Sequence, residues 1–525
     1  MRKFVVALLS LALLLPLSAF AADQGDLLQK IEALSRELES LKAQMHEMQK
    51  KETVKEERIT MVEKKAEAAE APSWFKIGGD YRARFDSLRG ESKAAFVLFA
   101  PTPQDVFAKQ TVDNETLLTN RFGLNMEAKA MEDITVKARL LMYKVWGHET
   151  EEPIGGSSNG FFADRFFLFD GNVGHVPSDN TLRVDQAYAT WSNVFNQPVW
   201  FSVGRRPSTG GVPTNIRQNV EKVGNAGVPG LLIDYAFDGL TLGYAPDIDA
   251  LPGAYAKFCY GRGFDSGYKT AANGMDDVDF IGINVVPYDT DTLHLEFQYS
   301  RAFNIFAFPE SNGMLAGFMV DPADPTGTNV IPVTVANTNV GDIDQYGMVA
   351  MGKIEKVGPG DLNLFLSAAL SVTHPNENTL NLGPGVSFGL LGNANPSSKT
   401  GWSAYVGGRY DIAKTGTKIG LEYNYGSKNW ITFTPAADDI WTGKLGTRGS
   451  VYEAYIIQEL NKKPIAKRGK AFFRLGYQYY DFDYTGSNNW MGAPVDMDDV
   501  IANTPLFFAP LKNAHDIYLT FDVMF

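Results

Sequence analysis

Eight basic residues fall on alternate positions of segments whose intervening residues are largely apolar. Lys76, Arg82 and Arg84 lie in the first segment, Arg121 and Lys129 in the second, Lys137 and Arg139 in the third, and Arg206 closes a later one. Across 73–87, Phe75, Ile77, Gly79, Tyr81, Ala83 and Phe85 share one parity, and Lys76, Asp80, Arg82, Arg84 and Asp86 share the other. Charges on every second residue of a strand are incompatible with lipid but suit a water-filled lumen. Adjacent strands lie about 4.8 Å apart, so these eight would form a cationic wall on one arc of a barrel. Low-dielectric surroundings would focus its potential and favour anions. Asp80, Asp86 and Glu127 occupy the same strands, and a wall neutralised by them is an equal expectation.

Other chemistry finds little support. His46, His148, His175, His294, His374 and His515 are scattered, with no G-x-S-x-G or H-E-x-x-H spacing around any of them. Asp276, Asp277 and Asp279, and likewise Asp496, Asp498 and Asp499, lack the full calcium-loop spacing and read as solvated acidic loops. The single cysteine, Cys259, excludes an internal disulfide framework and any C-x-x-C haem or metal motif. A net charge of -13 argues against nucleic-acid binding. The expectation is therefore a protein that is not an enzyme, with no metal and no cofactor.

The elements that would position the basic residues are short alternating strands. Arg121 to Ala130 and Ile134 to Trp146 make a hairpin with Phe122, Leu124, Met126 and Ala128 on its apolar face. Further strands are expected near 182–194, 197–206, 230–237, 240–262, 278–286, 292–303, 343–357, 361–373, 401–412, 417–427, 450–460, 470–484 and 514–525. Asp238-Gly239 is taken as the turn between two of them. Their connections alternate between short and long, as in outer-membrane barrels. The fold class is thus an all-β transmembrane antiparallel β-barrel of about 16 strands, with 18 as the alternative because Pro246 and Pro252 interrupt 240–262. Such a barrel is expected to leave an aqueous channel. A long loop from Pro207 to Gly211 and on to Arg217 and Glu221 is the candidate to fold inward and narrow it.

Three segments follow along the chain. Residues 1–21 read as a signal peptide, with Arg2 and Lys3 before the apolar Phe4 to Leu17 and Ala19-Phe20-Ala21 at the cleavage site. Residues 22–71 read as an α-helical coiled coil and linker. Ile31, Leu38 and Met45 take the a positions and Leu34, Leu41 and Met48 the d positions. Residues 72–525 form the barrel. Its last strand alternates through Phe521 and Val523 to Phe525, a pattern that resembles the C-terminal signal read by the barrel-assembly machinery.

The resemblance extends to short motifs. Gln186-Ala187-Tyr188 followed by Val203-Gly204-Arg205 looks like paired strands of many Gram-negative porins. With Gly79 to Arg82 in the first strand and the terminal Phe, the layout resembles a porin-like outer-membrane family of unassigned function. That resemblance implies a passive porin for small hydrophilic or charged solutes, set in outer-membrane lipid, and the even strand count places both ends of the barrel and the heptad segment in the periplasm. It also implies a homo-oligomer, with a trimer preferred. Two alternatives stay open: a sheath around a periplasmic multihaem cytochrome supplied by another chain, and a structural tether reaching the cell wall. If the heptad seam oligomerises the protein, Leu34→Asp with Leu41→Asp should place charge in the bundle core and weaken the cross-linked species on a gel.

Overall fold

The computed structural model describes residues 74–97, 106–147, 177–270, 274–307, 314–320, 330–335, 338–381, 387–434, 439–460, 469–506 and 510–525. The signal segment and the heptad seam, with Ile31, Leu34, Leu38, Leu41, Met45 and Met48, lie outside them. Long strands dominate the described chain: β1 (Phe75–Ser92), β2 (Thr111–Lys129), β3 (Ile134–Val145), β4 (Arg183–Trp191), β5 (Val199–Ser208) and β6 (Tyr235–Tyr244). They continue as β7 (Tyr255–Phe264), β8 (Val278–Asp289), β9 (Leu293–Phe306), β10 (Asn339–Val357) and β11 (Gly360–Pro375). The last are β12 (Thr400–Ile412), β13 (Thr417–Gly426), β14 (Gly449–Glu459), β15 (Lys470–Phe482) and β16 (Leu511–Met524). Each pairs antiparallel with its sequence neighbours, and β16 returns to β1 to close the barrel.

Closure rests on a continuous register. Ala83 faces Phe521 and Arg84 faces Thr520. At the rim, Gly79 N donates to Phe525 O at 2.8 Å and Phe525 N donates to Gly79 O at 3.0 Å. A Cβ on Gly79 would lie 2.8 Å from the Phe525 ring, so the first strand yields room to the last aromatic. Compact turns at 130–133, 192–198, 245–254, 290–292, 358–359 and 413–416 lie at one end, with the adjoining strand ends at Glu459 and Lys470. The strand ends that the longer connections of the sequence join, such as Ser92 and Thr111, Ser208 and Tyr235, and Gly426 and Gly449, lie at the other. The expected alternation and strand number of 16 therefore hold.

Two strand boundaries do not. Asp238-Gly239 is no turn: β6 runs straight through it, and the chain reverses at 245–254, where Pro246 and Pro252 lie. Asp-Gly between apolar runs is a strong local hairpin signal, but here the glycine serves close strand approach. A Cβ on Gly239 would meet Tyr260 O at 2.0 Å. The expected 230–237 and 240–262 are replaced by 235–244 and 255–264, which preserves the count.

The two faces of the wall differ as alternation requires. Ile77, Val203, Phe258, Phe297, Leu421 and Leu519 are among many large apolar side chains exposed on the outside. Leaving such a side chain in water forgoes roughly 1.5–3 kcal/mol, so this surface calls for apolar surroundings. Aromatic pairs bound the belt toward the long-loop end: Tyr299 and Tyr346 have ring centroids 5.2 Å apart, Trp402 and Tyr425 5.1 Å, and Tyr423 and Tyr452 5.0 Å. Exposed Trp74, Trp191, Phe195 and Tyr244 bound it at the short-turn end. An apolar band between two aromatic girdles is the outer surface of a membrane barrel. No helix among the described residues is long and apolar enough to cross a membrane.

The closing register is directly testable. In a Cys259→Ser background, Ala83→Cys with Phe521→Cys should form a disulfide, because register partners bring Cα atoms within bonding range. Ala83→Cys with Val523→Cys, a two-residue slip, should not. Non-reducing gels distinguish the two.

Candidate functional site in the barrel lumen

The parity of β1 to β5 turns the basic residues inward, but carboxylates meet them there. Arg82 Nε lies 2.5 Å from Asp522 Oδ1 across the β1–β16 seam. Arg84 Nε lies 2.6 Å from Asp86 Oδ1, and its Nη2 lies 3.1 Å from Asp516 Oδ2. Arg139 pairs with Asp80 at 2.7 Å and with Asp185 at 3.4 Å, and Arg121 lies 3.9 Å from Asp80. Glu127 holds Lys76 at 3.4 Å and Lys137 at 3.1 Å. Lys129 is exposed near the short-turn rim. Arg206 is buried and donates from Nε to Ser202 Oγ at 2.9 Å and from Nη1 to Thr241 Oγ1. Six of the eight thus stand in ion pairs, close to the neutralised wall that the sequence left open.

A second constellation, on β13 to β16, is more deeply buried. Glu453 accepts from Lys444 Nζ at 2.6 Å, from Arg217 Nη1 at 3.1 Å and from Tyr518 OH at 2.6 Å. Lys444 also reaches Glu422 at 2.5 Å, which accepts from Tyr405 OH at 2.5 Å and Tyr455 OH at 3.1 Å. Arg217 donates to Asp439 Oδ1 at 2.6 Å, and Gln478 donates to the same oxygen at 2.8 Å. Burial alone would lower the Arg217 pKa, but Asp439 and Glu453 outweigh it and hold the guanidinium well above its ordinary value. Arg84 and Arg474 lie against the ring of Tyr518, at 4.7 and 5.2 Å from its centroid. Two guanidinium groups on an electron-rich ring gain cation–π attraction of about 2 kcal/mol or more each once desolvated.

Arg217 belongs to the segment that the sequence picked out to fold inward. After β5 the chain passes a neck, where Gly230 N donates to Val212 O at 2.9 Å, and enters the lumen as α1 (Thr214–Gln218). Asn219 ends the helix in the left-handed region, at φ 56°, which asparagine tolerates. Its side chain donates to Glu459 at 3.1 Å and accepts from Lys418 at 2.7 Å, while Lys470 donates to its carbonyl at 2.7 Å. Those three partners lie at the short-turn ends of their strands, so the segment traverses the lumen. On the far side Lys222 reaches Asp289 and donates to Thr290 O at 2.9 Å.

A 16-stranded wall encloses more space than its own side chains fill, and the inward segment, with described parts of the loops after β13 and β15, projects into it. Trp430, Trp441 and Trp490, from those loops, are completely or almost completely buried. The sequence reading marked Arg217 through its loop but missed Glu422, Glu453, Arg474 and Gln478, which alternation in 417–427, 450–460 and 470–484 could have placed on the inward face. It offered nothing for Asp439 or Lys444, whose long loop has no period.

The remaining candidates fall elsewhere. His294 lies between Asp289 at 3.0 Å and Glu296 at 3.2 Å, His374 meets Asp344 at 2.8 Å, and His515 meets Tyr477 OH at 2.7 Å. Asp277 and Asp279 bind Arg262 at 2.9 and 3.0 Å, and Asp276 binds Lys269 at 2.7 Å, so basic side chains occupy that acidic run. Gln186-Ala187-Tyr188 and Val203-Gly204-Arg205 do lie on paired strands, with Tyr188 opposite Gly204. Gly204 has φ 122°, and a Cβ there would meet Ala187 O at 2.4 Å, so only glycine fits. Phe521 and Val523 take the outer face of β16, where Phe521 packs on Phe473 with centroids 4.9 Å apart.

Burial separates these pairs energetically. Asp522→Ala removes the carboxylate beside buried Arg82 and should cost about 3–5 kcal/mol of stability. Lys76→Ala, at a side chain 73% exposed, should change stability by less than about 1 kcal/mol. Urea unfolding of protein refolded into vesicles, followed by tryptophan emission, measures both.

With the geometry in place, the chain can be set beside known proteins. No curated protein matches its sequence significantly. Among solved structures, OprB of Pseudomonas putida is 12% identical, with 86% of this chain and 94% of that chain covered at a TM-score of 0.41. The anion-selective porin from Comamonas acidovorans is 10% identical, with 86% and 99% covered at a TM-score of 0.39. In-vitro folded OmpT, an outer membrane protein of Vibrio cholerae, is 9% identical, with 87% and 99% covered at a TM-score of 0.38. The barrel itself, and not these distant likenesses, bears the reading that follows. A profile of the family described as "Protein of unknown function (DUF3373)" matches residues 111–525, from β2 through β16, and the chain belongs to that family.

Proposed function

We propose that this protein is an outer-membrane porin, a non-enzymatic channel for passive diffusion of small hydrophilic or charged solutes. The observation that carries the reading is the closed 16-stranded wall, apolar and girdled outside and charged within. Pore radius, wall charge and narrowing by loops suffice for such a mechanism without a cofactor. The segment 209–234 lies on the β7–β15 side, which leaves the β1–β5 arc, with exposed Lys76 and Lys129 and half-buried Lys137 near its rim, as the more hydrated route. Its ion pairs present both signs to a solute, which favours weak selectivity over the anion preference of a bare cationic wall.

In this reading the short turns and the ends of β1 and β16 face the periplasm, together with the heptad segment. The coiled coil joins copies, with a trimer preferred, and the barrel-assembly machinery reads the strand ending in Phe525. The cytochrome-sheath alternative is less well supported, because the protein's own segment holds the space that a sheathed partner would need. Haem-staining protein co-purifying in equal amount would reinstate it. A tether would lose envelope integrity on deletion of 23–71 with permeability unchanged.

Planar-bilayer recording of refolded protein is the test. The wild type should give small, stepwise ohmic openings with a reversal potential close to zero in a salt gradient. Deleting 213–229, whose ends are already bonded at the neck, should raise the conductance several-fold. If neither the wild type nor the deletion conducts while both are folded, the channel reading fails. A strong anion preference would mean that the wall is not compensated.

A further inference from the structure

At the long-loop end, away from the lumenal network, described residues after β11, β13 and β15 and just before β16 line a partly open cavity of about 250 Å³. Phe388, Phe482, Tyr484, Met491 and Val495 line it, so its walls are mainly aromatic and aliphatic. One cation lines it too. Arg448 is 1% exposed, and its guanidinium donates only to backbone carbonyls: Nε to Trp430 O at 3.0 Å, Nη1 to Thr485 O at 3.1 Å and Nη2 to Asn489 O at 2.6 Å.

Of the buried arginines described above, only Arg474 shares that arrangement in part, donating to Arg217 O at 2.8 Å while lying on the Tyr518 ring. Arg82, Arg84 and Arg217 each meet a carboxylate, and Arg206 meets hydroxyls in the wall. Arg448 has no carboxylate among the described residues, and burial pushes its pKa down with nothing acting against it. A buried cation without a counter-ion is costly, and a guanidinium carries five N–H donors, of which the three carbonyls engage three. Gly486, also in the lining, has φ 74°, and a Cβ there would lie 2.9 Å from Arg448 Nη1. Glycine thus lets the loop backbone lie close beside the guanidinium.

We propose that this cavity binds a small organic carboxylate, its apolar body between the aromatic walls and its carboxylate on Arg448. The ligand supplies the counter-charge that the protein omits, and a charge-assisted, fork-shaped contact gives orientation as well as affinity. Apolar walls around one charged group are the usual make-up of a small-molecule site. A phosphate or sulfate would leave those walls unfilled, and a neutral ring would leave the charge unmatched. The inference does not rest on the channel reading.

Titration calorimetry on the full chain in detergent tests it, with benzoate and benzyl alcohol as probes. Wild type should bind benzoate at least tenfold more tightly than benzyl alcohol, as one charged hydrogen bond implies. Arg448→Met should erase that difference. Because Arg448 also ties three loop carbonyls, its variant is read beside a thermal melt, and Met491→Trp supplies an independent arm that fills the cavity with the arginine intact. Folded Met491→Trp should lose benzoate binding at least tenfold. The proposal is overturned if wild type binds both probes equally, or neither, or if folded Met491→Trp keeps wild-type affinity.

Discussion

Every strand of this barrel answers to one constraint: backbone N–H and C=O groups facing lipid have no water to bond. A sheet satisfies that only when it has no edge. The pairing of β16 with β1 is therefore the contact on which the remainder depends. It is made along almost the whole of both strands and finished by the mutual hydrogen bonds of Gly79 and Phe525. Once the cylinder closes, side-chain parity has only two destinations. Leu519 and Phe521 go outward to the belt, and Arg82, Arg84 and Asp522 go inward to one another.

A wall of this width creates a second problem, since its lumen exceeds what wall side chains can fill. The chain solves it with polar groups where a soluble domain would use aliphatic ones. Around Glu453 and Glu422, cations from three sources converge: Arg217 from the inward segment, Lys444 from the loop after β13, and Arg474 from the wall. A buried charge is tolerated when its partners and hydrogen bonds are complete, and tyrosine hydroxyls from Tyr405, Tyr455 and Tyr518 supply the remaining donors. The same network pins the inward segment, so filling the lumen and narrowing it are one structural act.

Charge compensation also separates the two ends of the molecule. Within the wall, cations and carboxylates stand in adjacent register, and the field across the lumen is mixed. At the long-loop end Arg448 departs from that rule, bonded to carbonyls beside an apolar cavity.

Much of this was legible in the sequence because a strand in lipid obeys a period of two. The alternation in 73–87 and 514–525 indicated which residues face in, the rhythm of turns gave about 16 strands with 18 left open, and the loop after Arg206 was marked as the one to enter the lumen. Asp238-Gly239 misled because a local turn signal cannot reveal that Tyr260 O needs the space beside the glycine. Whether the arginines formed a bare wall was undecidable from the chain alone, since Arg82 and Asp522 are separated by nearly its whole length and meet only at closure. Asp439, Lys444 and Arg448 lie in loops with no period to betray their direction. Their roles were decided by tertiary structure, because a buried charge takes its meaning from the partners that folding brings, or fails to bring, within a hydrogen bond of it.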